Sequence, residues 1–222
     1  MDNTETGESG KADVRHRWAF AYSIDGDLRF ISHRDTLRMF RRALARADLP
    51  VRFSEGFNPH PRIMIPLPRP VGVASDAETI VVEFERRIDP DEALSRLEKH
   101  TPSGVSLRSV RRLAPNERCI PQSARYRLAV DRQEQNGVDD KVRGLLEHDV
   151  VNIERKTPKS GSVRSIDIRK YIDDMRVVGG AVEFTLRFTQ DGTARPAEVA
   201  SILGYDRESI NHRIRRMEVQ WY

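Results

Sequence analysis

Apolar and polar positions alternate in part through residues 14–24, VRHRWAFAYSI, where aromatic and β-branched side chains dominate; this predicts a strand. Asp25-Gly26-Asp27 then signals a turn. Over residues 32–48 the period changes. Leu37, Phe40, Leu44 and Ala47 recur at helical spacing, with Ser32 as N-cap and Asp35 three residues on, so a helix is predicted. Short strands are predicted at 51–53 and at 63–68, the second at an edge because of its prolines. ETIVVEFERR (78–87) predicts a strand, and 89–100 a helix capped by Asp89 with Pro90 at N1 and Glu92 at N3. Residues 105–113 predict another strand. The order β-α-β-β-α-β is the ferredoxin-like pattern.

A similar order follows. Strand (125–132), helix (137–148) and strand (150–156) lead to a flexible loop at 157–162 and an extra segment at 163–172. A strand (181–189), a short helix (196–204) and a terminal strand complete it, with alternation slipping near Arg215 as at a bulge. The chain is therefore expected to be α+β, with two ferredoxin-like halves in tandem and the second decorated. The expected divisions are a disordered polar tail (1–13), a first half (14–113), a linker (114–123) and a second half (124–222).

Composition narrows the function classes. The chain has 222 residues, 38% hydrophobic and 32% charged. No apolar run approaches the ~20 residues that span a bilayer, and no basic-then-apolar leader opens it. A cytoplasmic protein with no membrane partner is expected. The single cysteine, Cys119, excludes a disulfide framework within the chain and a self-contained iron–sulfur site of the usual kind. Spacings such as H-x-x-x-H, H-E-x-x-H and C-x-x-C are absent, as are the glycine-rich phosphate and nucleophile-elbow motifs, so no metal or cofactor is expected. Net charge is only +4, but 32 of the 38 basic residues are arginine, whose planar fork suits phosphate and stacks on bases. Compositional bias gives the same excess.

Four places carry candidate chemistry. Arg34, Arg38, Arg41 and Arg42 share one flank of the first helix, beside its apolar stripe; such a face binds phosphates or is simply solvated. The segment SEGFNPHPR (54–62) holds His60 between Pro59 and Pro61, with Asn58 also before a proline, so its backbone is stiff. A stiffly held His60 suits a general acid or base, a fixed bond to a partner, or a rigid crossover between strands. Phe57 suits stacking or core anchoring, and Arg62 adds a cation beside the loop. His33, at the first turn of the helix, is the second histidine that phosphodiester chemistry with His60 would use. Arg195, directly before Pro196 at a helix start, is a candidate anion site, or ordinary helix initiation.

LRFISHRDTLRMFRRALARADLPVRFSEGFNPHPRIMIPLPRPVGV, with IDIRKYI and GTARPAEV further on, resembles the radical SAM-linked protein family. The positions that carry the likeness are His33, Asp35, Gly56, Asn58, Pro59, His60, Pro61, Asp167, Arg169, Arg195 and Pro196. Members are fused to, or encoded beside, cobalamin-binding radical S-adenosylmethionine proteins, often near genes for ribosomal proteins and an RNase E/G type ribonuclease. The resemblance implies an accessory role beside a radical SAM protein, on RNA or the translation machinery, and assigns no residue a reaction. This chain lacks C-x-x-x-C-x-x-C and D-x-H-x-x-G, so it is expected to accompany the radical enzyme rather than be it. The expected role is an RNA-binding accessory module using Arg34, Arg38, Arg41, Arg42 and Arg62. The alternatives are an endoribonuclease using His60 and His33, and a protein-docking subunit using Phe57, Asn58 and His60, together with the proline-rich IPLPRP (65–70).

Overall fold

The computed structural model describes residues 15–131, 133, 135–156 and 161–222. The expected tail (1–13) and most of the expected 157–162 loop lie outside them. The first half runs β1 (His16–Ile24), α1 (His33–Arg46), β2 (Ile63–Met64), β3 (Ala74–Phe84), α2 (Pro90–Glu98) and β4 (Val105–Arg112). The second runs β5 (Pro121–Ala129), α3 (Val138–Glu147), β6 (Asn152–Lys156), β7 (Val163–Asp167), β8 (Ile172–Val178), β9 (Ala181–Arg187), α4 (Pro196–Ile202) and β10 (Ile214–Trp221). The fold is mixed α+β: among the described residues, four helices and one large mixed sheet ordered β4-β1-β3-β10-β5-β9-β8, with β2 also on β3.

Alternation places the core. On β1 and β3, Phe20, Tyr22, Ile80, Val82 and Phe84 point to the helices and bury against Phe40 and Leu44 of α1 and Leu97 of α2. On β5 and β9, Tyr126, Leu128, Phe184 and Leu186 do the same against Val142 of α3 and Val199 of α4. The opposite side of the sheet carries no helix. Only Ala19, Val81 and Leu113 are buried there, with Cys119 packed on them.

The two cores share a sheet because β10 runs parallel to β3 at Arg215↔Ala74 and Arg216↔Ser75. Arg216 is 1% exposed and pairs with the buried Glu78 at 2.8 Å. It also donates to the carbonyls of Leu67 and Pro68 (both 3.2 Å). Arg69 donates to the carbonyls of Arg29 (2.6 Å) and Val73 (2.5 Å). The proline-rich IPLPRP is thus a fastener in the seam between the halves. Its part-buried carbonyls are used internally, which corrects its expected place on a docking surface.

Two sequence expectations change in the second half. Residues 152–156 form a strand, but β6 pairs only with β7, as a hairpin outside the large sheet. The place beside β9 is taken by β8. Its Asp173-Asp174 pair reads as a turn, yet both side chains face solvent while Ile172 and Met175 are buried, with an irregularity between them. The slip near Arg215 is real: the β10–β5 register shifts between Arg216 and Glu218.

Candidate functional site

Helix α1 begins at Ser32, whose Oγ accepts the Asp35 N–H (3.2 Å) while the hydroxyl donates to the Asp35 carboxylate (2.6 Å). Ser32 and, next, Arg38 hold the Asp35 carboxyl below its ordinary value. Thr36, Phe40, Ala43 and Leu44 are buried, which turns Arg34, Arg38, Arg41, Arg42 and Arg46 to solvent. Arg38 pairs with Asp35 at 2.9 Å, and Arg46 donates to the His100 carbonyl (2.8 Å). Among the described residues no carboxylate forms an ion pair with Arg34, Arg41 or Arg42. Sequence reading missed Arg46, although it continues the four-residue step from Arg38 through Arg42.

The SEGFNPHPR loop is the tip of a narrow ribbon. Phe53 and Pro61 form a β-bridge. The Ser54 N–H donates to the His60 carbonyl (2.8 Å), and the His60 N–H to Ser54 Oγ (2.9 Å). Gly56 closes the turn at φ +112°, a conformation open to glycine and strained for other residues. Phe57, Asn58 and His60 project into solvent, with Phe57 wholly exposed and Phe53 and Met64 half-exposed beside it.

His33 and His60 are not brought together. His33 starts α1, and the loop leaves the sheet beyond Phe84, at the end where α1 finishes. A helix of 14 residues separates them by ~20 Å. Arg62 also stands apart from the α1 arginines. With Arg17, Met64, Val81 and Glu83 it lines a hollow on the helix-free side of the sheet. There Arg52 pairs with Glu83 at 3.3 Å.

At Arg195 the helix start already holds an anion. Glu198, fully buried, accepts the Arg195 N–H (2.8 Å) and two bonds from Arg155 (3.0 and 2.6 Å), and takes Arg207 at 2.5 Å. The carboxylate that the arginine foretold is the chain's own. Asp167 and Arg169 are likewise fasteners: Asp167 accepts the N–H groups of Val151 and Arg169, and Arg169 donates to the carbonyl of Ile172.

The second half has its own arginine-rich surface on the helix-free side. Arg125, Arg127 and Arg176 surround Glu183, and Arg125 also pairs with Glu218 at 2.9 Å. Arg187 pairs with Asp173. These cations are matched where those of α1 are not. Cys119 is half-buried, and burial raises its thiol pKa, which leaves it a poor nucleophile. Among the described residues no group of three His, Cys, Asp or Glu side chains is placed to hold a metal, and no helix is long and apolar enough to cross a membrane.

The model of a protein family described as uncharacterised and conserved in bacteria (DUF2344) matches residues 17–196. Among curated proteins nothing matches.

Proposed function

Since the chain belongs to this uncharacterised family conserved in bacteria (DUF2344), we propose that it is an accessory binding protein that presents RNA, or an RNA-bearing substrate of the translation machinery, to a separate radical SAM enzyme. The partner is proposed on the ISHRD and GFNPHP resemblance. One observation carries the RNA part: three α1 arginines, Arg34, Arg41 and Arg42, lie exposed with no carboxylate partner among the described residues. Unmatched arginines at a surface release counterions from a polyanion; matched ones gain little, because their fields already end on their own carboxylates. We also read each half as ferredoxin-like. The pairings β4-β1-β3-β2 and β10-β5-β9-β8, each last-first-third-second among a half's main strands, support that.

The test is fluorescence anisotropy with RNA from low to high salt. Log affinity should fall linearly with log salt, with a slope of roughly −0.7 per phosphate contacted on a single strand. Affinity independent of salt contradicts the reading, as does no binding at low salt. An endoribonuclease loses support because His60 stands without His33 beside it. A docking role for the loop is favoured by Phe57, whose whole ring stands in solvent on a ribbon held by its own backbone bonds. In that role Phe57→Ala weakens capture of the neighbouring radical SAM protein while RNA binding stays unchanged; unaltered capture removes the loop from the interface.

A further inference from the structure

Beside α1 runs a groove with two unlike walls. Its floor is apolar, built from Leu28, Ile31, Met39 and Pro102; its rim is Arg38, Arg42 and Arg46, with Asp35 at the end nearer the helix start. The three arginines occupy successive turns, four residues apart, which sets their Cα atoms ~6 Å from one another along the axis. That step is comparable to the one between successive phosphates of an extended strand. Asp35 is the lone carboxylate in the lining, and it is already engaged by Ser32 and Arg38. Arg46 gives one N–H to the His100 carbonyl; a guanidinium has five. Leu28, Ile31 and Met39 are half-buried rather than covered, and Pro102 is exposed.

An apolar floor beside a cationic rail is complementary to a ligand with a charged edge and a flat, weakly polar face. Duplex RNA offers only the charged edge, because its base faces are stacked inside the helix. A single strand offers both, and the Met39 thioether is a soft, polarisable contact for an aromatic ring. We propose that this groove takes single-stranded RNA, with phosphates on Arg38, Arg42 and Arg46 and base faces against Leu28, Ile31 and Met39. The inference rests on the reading of α1 as an RNA-binding surface and adds a strand preference that the arginines alone do not impose.

The experiment compares three probes of equal length on the full chain: an unstructured RNA, the same RNA annealed to its complement, and an abasic ribose-phosphate strand. At physiological salt the single strand should bind roughly tenfold tighter than either of the others, the scale of one base's stacking energy. Met39→Gln should weaken the single strand several-fold with its salt slope unchanged. Arg42→Gln, at an exposed position that leaves the core untouched, should lower the slope by about one. Equal affinity for all three probes overturns the groove proposal and leaves α1 as a general polyanion surface. Failure of every probe to bind at low salt overturns the RNA reading itself, and this inference with it.

Discussion

The outer face of α1 and the helix-free face of the second half's sheet are both rich in arginine, yet they differ in kind. On the sheet, Arg125, Arg127 and Arg176 converge on Glu183, and Arg187 on Asp173. On α1, five arginines face solvent with Asp35 as their one ion-pair partner among the described residues. Arginine content therefore does not mark a binding surface; arginine left over after the chain's own carboxylates are counted does. A third environment completes the comparison. Arg216, shut in the seam with Glu78, is matched and inaccessible, and its role is to fasten the two halves.

These three environments predict different responses. The largest belongs to the seam. Arg216→Met leaves Glu78 buried and unpaired, so unfolding in urea should show a loss of about 3–5 kcal/mol. A loss within error of zero would mean that solvent reaches the pair. Next comes α1: changing Arg34, Arg41 and Arg42 together to Gln should lower RNA affinity roughly ten- to a hundredfold at low salt, with the urea midpoint nearly unmoved. Smaller again is the sheet. Gln at Arg125, Arg127 and Arg176 should leave RNA affinity unchanged and cost under about 1 kcal/mol per pair, because these side chains are more than a third exposed and screened. A loss of RNA affinity there as large as on α1 would erase the distinction between the two faces.

The smallest effect is one of pH. The hydrogen bond from Arg215 is the chief cause that holds the Asp25 carboxyl below its ordinary value. A carboxyl whose folded pKa lies below its unfolded value of ~3.9 stabilises the fold above that pH, and the contribution is lost as pH falls through the folded value. Asp25 is half exposed, so the gain at neutral pH is under about 1 kcal/mol. Asp25→Asn should flatten this part of the acid-unfolding curve, measured by circular dichroism between pH 5 and pH 2. An acid limb identical to that of the wild type would show that the pair contributes nothing.

Local features were legible in the sequence. Ser32, Asp35 and the spacing of Phe40 and Leu44 mark α1 and the flank its arginines take, because helix periodicity acts over a few residues. The prolines and Gly56 mark a stiff turn for the same reason. What joins distant positions was not legible. Glu78 and Arg216 meet across 138 residues, and Arg127 and Glu183 across 56, so no local pattern tells a matched arginine from a free one. β8 escaped because Asp173 and Asp174 sit on its solvent side, and Arg195 pointed to an outside anion because the buried Glu198 reads as an ordinary helix residue. His33 and His60 drew attention as a pair by residue type, whereas the topology fixes them at opposite ends of α1.

The most direct test of the central claim is the salt dependence of RNA binding by three proteins: the wild type, the Arg34/Arg41/Arg42→Gln variant and the Arg125/Arg127/Arg176→Gln variant. Unmatched arginines on α1 should show as a slope about three units shallower in the first variant and unchanged in the second. Equal slopes in all three, or a loss confined to the sheet variant, would contradict the account.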